Sequence, residues 1–126
     1  MNIFILEDEI YRAPRNAILR VLDHKHKLTV AVSCKDAKSR YKGEYDLLLL
    51  DHDMRGFFEP STYHNTGYQF ALWLIEMGIK FPRPKVILHS QNWEGRANMA
   101  KVLLRAGFPT SEFPFSSEYV KMLSSI

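Results

Sequence analysis

The chain has 126 residues, 46% of them hydrophobic and 25% charged, which suits one domain over residues 1–126 with a packed interior and excludes a disordered chain. Its formal charge of +3 gives a mild pull toward anionic partners, and the single cysteine, Cys34, leaves no internal disulfide and fits a reducing cytoplasm. No apolar run approaches the roughly 20 residues a membrane helix needs, and the start MNIFILEDE reaches acids too early for a secretory leader.

Taken in order, residues 2–6 form a short apolar run, hence a buried strand. Residues 10–22 carry Ile10, Ala13, Ala17, Ile18, Val21 and Leu22 near helical spacing, with Pro14 tolerated in the opening turns. A second strand is expected over 27–32, rich in β-branched residues, and a weaker helix over 36–41, closed by Gly43. Lys25, Lys27, Lys35, Lys38, Arg40 and Lys42 gather basic charge around this strand and helix. The third strand, 46–50, runs through four leucines and delivers Asp51-His52-Asp53. A loop of about a dozen residues follows, long enough to suggest function, with His64 as a lid candidate. Thr66 can cap a helix through Gly78. A fourth strand over 85–89 and a helix over 94–106 come next, stopped by Gly107 and Pro109. A short strand over 112–115 and a helix over 117–123 complete the pattern.

Five strands alternating with helices predict an α/β sandwich of three layers, its parallel sheet in the flavodoxin-like order 2-1-3-4-5. In such a sheet ligands bind beyond the carboxyl ends of the strands at the switch point. Strands one, three and four would be neighbours about 4.8 Å apart. Glu7, Asp8 and Glu9, then Asp51, His52 and Asp53, then His89, Ser90 and Asn92 therefore converge on one edge. Glu7, Asp8, Asp51 and Asp53 offer hard oxygen ligands suited to a divalent cation, Mg²⁺ or Mn²⁺. His52 and His89 suit proton transfer near neutral pH, or alternatively extend the ligand set toward a transition metal. Asp51, His52, His89 and Ser90 make the candidate catalytic set, with Thr66, Asn92 and Arg96 as candidate phosphate-binding residues. Trp93, beside Asn92, is placed to pack or to stack on a base.

The acids after strand one, Asp51 closing strand three and Ser90 closing strand four resemble a response-regulator receiver domain over nearly the whole chain. That resemblance implies Mg²⁺ binding through Asp8, phosphoryl transfer to Asp51 and sensing by Ser90. The lysine that receivers carry at the end of strand five is missing, and Phe113-Pro114 stands there. The stretches LEDE at 6–9, LDHD at 50–53, Thr66-Gly67 and HSQNWEGRAN at 89–98 are similar to the cyclic-phosphate processing receiver domains of bacteria and phages. Membership there implies a metal-assisted phosphoesterase acting on cyclic phosphates, with a nucleotide or an RNA end as the phosphate-bearing partner and no membrane. Two other readings stand beside it: a divergent receiver phosphorylated on Asp51, and a non-catalytic module that binds nucleic acid or a partner.

Overall fold

In the computed structural model, which describes residues 1–80 and 82–126, the elements alternate as the pattern predicts. They are β1 (Asn2–Leu6), α1 (Ala17–Leu22), β2 (Lys27–Ala31), α2 (Cys34–Arg40), β3 (Leu47–Leu50), α3 (Gly67–Glu76), β4 (Lys85–Leu88), α4 (Trp93–Arg105), β5 (Thr110–Glu112) and α5 (Ser117–Leu123). The five strands pair in parallel in the order β2-β1-β3-β4-β5. Among the described residues no helix is long and apolar enough to cross a membrane.

The pleat sorts the core into two layers, because successive side chains of a strand point to opposite faces. Phe4, Leu6, Leu48, Leu50, Val86 and Leu88 pack with Ala37 of α2, Phe70 and Leu74 of α3 and Met99 and Leu103 of α4. Ile3, Ile5, Leu47, Leu49 and Ile87 face the other way, onto Ile18 and Leu22 of α1 and Tyr119 and Leu123 of α5. Four of the helices start on a side-chain cap: Ser33, Thr66, Asn92 and Ser116 each accept a backbone N–H three residues on.

Two elements differ from the sequence expectation by more than two residues at an end. The first helix covers six residues rather than the whole of 10–22. Pro14 has no N–H to give to a preceding turn, and residues 8–16 are turns instead, closed by bonds such as Asn16 N–H to the Arg12 carbonyl at 2.9 Å. The last strand is Thr110–Glu112 rather than 112–115. It is a short polar edge strand with little apolar pattern to read, while the more conspicuous Phe113 and Phe115 only continue beside the end of β4, donating to the carbonyls of Leu88 and His89.

The long loop is built rather than loose. An antiparallel bridge between Asp53 and Thr66 closes its base. Asn65, 8% exposed, ties it down by accepting the Cys34 N–H at 2.9 Å and donating to the Glu59 and Pro60 carbonyls at 3.3 and 3.0 Å.

Candidate functional site

The alternation that sorts the core continues past the strand ends and divides the polar edge in two. Glu7, Asp51 and His89 follow Ile5, Leu49 and Ile87 onto the face covered by α1 and α5. His52 follows Leu50 onto the opposite face, where its ring lies against Gly95 of α4.

On the first face the side chains form a closed network. Glu7 is fully buried; its Oε1 accepts from Arg15 at 2.9 Å and from His89 Nε2 at 3.0 Å, and its Oε2 accepts the Glu9 N–H at 3.0 Å. The other ring nitrogen of His89 lies 3.3 Å from the Tyr119 hydroxyl. With Glu7 ionised beside Arg15, Nε2–H donates to it and Nδ1 accepts from the tyrosine hydroxyl. Burial presses the His89 pKa down to about 4, so the ring is neutral. Asp51, 4% exposed, accepts the His52 N–H at 2.8 Å; burial, reinforced by the charge of Glu7, raises its pKa to about 7. Burial likewise raises Glu7, against the pull of Arg15. Arg15, stacked 4.2 Å over the Phe115 ring, is the guanidinium that faces this cluster.

Asp8 stands beside Glu7 at the same edge. Its Oδ2 accepts the Arg55 N–H from the long loop, and its Oδ1, buried, has no hydrogen-bond partner among the described residues. Burial raises Asp8 to about 6. Carboxylate oxygens of Glu7, Asp8 and Glu9 lie within 4.8 Å of one another, as do ligand atoms of Glu7, Asp51 and His89. A buried oxygen without a donor beside two more carboxylates fits a hard divalent cation. His89 fits that set poorly, since both its nitrogens are already engaged. The carboxylates close enough to share a cation are Glu7 with Asp8 and Glu9, and Glu7 with Asp51, whereas Asp53, expected among the ligands, belongs to neither group and bonds His52 and Asn92 instead.

The second half of the edge is more open. His52 Nδ1 is 2.7 Å from Asp53 Oδ1, and Asn92 Nδ2 donates to the same oxygen at 3.2 Å. Burial works against the charge on Asp53, but the His52 and Asn92 bonds outweigh it and hold its pKa below the usual carboxylate value. The His52 ring lines a cleft of about 570 Å³ between the long loop, α3 and α4. Gly95 leaves it room: a Cβ there would sit 2.7 Å from the ring.

The other expected residues are placed as follows. Ser90 is buried and its Oγ accepts the Asn92 N–H at 3.1 Å. Asn92 caps α4 with its own Oδ1, accepting from Gly95 N–H at 2.9 Å. Thr66 caps α3 and lines the His52 cleft. Arg96 bonds the Ser90 carbonyl at 2.6 Å and Glu112 at 3.0 Å, so it joins the β4–α4 turn to β5 rather than facing the acids. His64 is exposed in the loop, against Tyr63, and Trp93 is 70% exposed. Arg15 and Tyr119 are the participants the sequence reading did not single out. Strand parity was the available signal, since it sends Glu7 and His89 toward α1 and α5.

The parallel order with an acidic edge at β1 and β3 defines a receiver-type, flavodoxin-like domain. The sequence profile of the cyclic-phosphate processing receiver domain matches residues 1–105, and the chain belongs to that family. No curated protein matches the sequence. Among solved structures, the beryllofluoride-activated DrrB receiver domain is similar at TM-score 0.61 and 14% identity, covering 98% of this chain and 91% of that one. The response regulator TrrA from Thermotoga maritima, in complex with Mg²⁺ and beryllofluoride, gives 0.56 and 20%, covering 97% of both. NtrX from Brucella abortus gives 0.63 and 19%, covering 98% of this chain but only 26% of NtrX. The chain thus spans about a quarter of that regulator, and at these identities the likeness is one of fold.

Proposed function

We propose that this domain is a metal-assisted phosphoesterase that opens a cyclic phosphate, a 2′,3′-cyclic phosphate at an RNA end or on a nucleotide. The observation that carries the reading is His52. Its Nδ1 is tied to Asp53, its Nε2 has no hydrogen bond among the described residues, and its chain neighbour Asp51 belongs to the acidic cluster. A carboxylate-oriented imidazole of this kind can take and return a proton.

Water attack forms a new P–O bond and breaks one ring P–O bond. His52 Nε2 accepts the proton of the attacking water and returns it to the departing ribose oxygen. Asp53, steadied by Asn92, holds the ring in the required tautomer. A divalent cation, Mg²⁺ or Mn²⁺, held by the acids at the ends of β1 and β3 would neutralise charge on phosphoryl oxygens that reach across the sheet edge from the His52 cleft, whose own lining carries no acid. His89 acts here as a positioning residue for Glu7, because it is enclosed on every side.

The test is chromatography of 2′,3′-cyclic AMP and of a cyclic-phosphate-ended oligoribonucleotide after incubation with Mg²⁺ or Mn²⁺. Metal-dependent ring opening is expected, reduced about 10²–10⁴-fold in His52→Ala, the usual contribution of a general acid–base group. Absence of turnover in either metal sinks the proposal. A second reading, phosphoryl acceptance by Asp51, is supported by the family's receiver fold and by the position of Asp51 at the end of β3. It predicts instead a label from acetyl phosphate in Mg²⁺ that Asp51→Asn abolishes. Against it stands the place expected for the receiver lysine, where Phe113 packs 5.6 Å from Tyr119.

A further inference from the structure

The outer stripe of α4 plays no part in the chemistry proposed above. Asn98, Lys101 and Arg105, three and four residues apart, share one side of that helix and line the His52 cleft. Tyr63 and Tyr68 line it too, and Tyr63 is 72% exposed. No acid lines this cleft, and neither Lys101 nor Arg105 enters an ion pair among the described residues. Gly95, against the His52 ring, fixes where the stripe begins. At 1.5 Å per residue, Lys101 lies about 9 Å and Arg105 about 15 Å further along the helix axis. A cyclic mononucleotide has one phosphate, which His52 already takes, whereas a chain of phosphodiesters has further phosphates to set against both cations.

We propose that this cleft is the track for an oligoribonucleotide. Its cyclic-phosphate end lies at His52, its backbone phosphates pair with Lys101 and Arg105, and its bases stack on Tyr63 and Tyr68. The proposal rests on the reading of His52 given above, and selects the RNA end over the free cyclic nucleotide as substrate.

The experiment is fluorescence anisotropy of a labelled octaribonucleotide ending in a 2′,3′-cyclic phosphate, with 2′,3′-cyclic AMP as competitor, between 50 and 200 mM salt. The parent protein is compared with Lys101→Ala/Arg105→Ala and with Lys35→Ala/Lys38→Ala, which removes the same charge from α2. The α4 double variant is expected to bind about 10-fold more weakly, and its slope of log K against log salt to flatten by about 1.4, two cations at roughly 0.7 each. Binding within twofold of the parent, an octamer no tighter than cyclic AMP, or an equal loss in the α2 variant each overturns the track. Ring opening is scored in the same samples. An octamer held through Lys101 and Arg105 but left intact keeps the track and removes the phosphoesterase.

Discussion

Arg15→Met is expected to destabilise the domain by about 3–5 kcal/mol at pH 8, the range found when one partner of a buried ion pair is removed. Arg15 is 9% exposed, its guanidinium donates to a Glu7 that has no exposure at all, and a second buried carboxylate, Asp51, raises the repulsion. Methionine keeps most of the stem packed on Phe115, so the loss reports charge rather than volume. At pH 5 the carboxyls of the variant can take up protons, and the deficit shrinks. Urea unfolding at both pH values measures it, and Glu7→Gln added to Arg15→Met is expected to restore much of the stability. A variant as stable as the parent at pH 8 contradicts the assignment of Arg15 as the interior counter-cation.

Gly67→Ala is expected to cost about 3 kcal/mol or more, at the upper end of overpacking. A Cβ at Gly67 would stand 1.9 Å from the Asp51 carbonyl oxygen, 2.9 Å from the Asp51 carbonyl carbon and 2.9 Å from Met99 Cε. The first two are backbone atoms and cannot turn aside as a side chain does. The same contact brings the Gly67 N–H to the His52 carbonyl at 2.8 Å, so relief of the clash moves Asp51 and His52 together. Gly78→Ala is the control: its φ of +64° is strained for alanine, but nothing lies within 4 Å, so about 1 kcal/mol is expected there. Thermal unfolding of the two variants separates crowding from backbone strain. Equal losses contradict the close approach of α3 to the end of β3.

The strands and the Thr66 cap were legible in the sequence because their signals are local, and the sheet order and the convergence of three strand ends because few topologies fit such a pattern. Apolar runs mark strands, a capping hydroxyl precedes its helix, and right-handed crossovers leave few orders, of which 2-1-3-4-5 is the commonest at this size. What the strand ends do to one another was less legible. His89 looked like a second proton-transfer group, yet it follows Ile87 onto the α5 face and closes on Tyr119 and Glu7. Arg15 sat within an expected helix of 10–22, where an arginine reads as a solvated residue. Only the turns before α1 bring it back to Glu7. Arg96, one turn inside α4, was expected at a phosphate, but β5 supplies Glu112 as its partner, and that strand carries no apolar pattern to reveal it.

Thermal unfolding at pH 5.5 and pH 8, in EDTA and in millimolar Mg²⁺ or Mn²⁺, tests most directly whether the acidic edge is a cation site. Between pH 4 and 7 the native state keeps protons on Asp51, raised from 3.8 to about 7, and on Asp8, raised to about 6, that the unfolded chain has released. Stability therefore falls as pH rises through that window. His89, lowered from 6.5 to about 4, acts in the opposite sense up to pH 6.5, one group against three, since burial raises Glu7 as well. In EDTA the Tm is expected to be lower at pH 8 than at pH 5.5 by about 4 °C or more, the equivalent of roughly 1 kcal/mol. The metal should raise it at pH 8, more than at pH 5.5, and Asp51→Asn should diminish both effects. A Tm that climbs with pH in EDTA and ignores either metal at pH 8 contradicts the account.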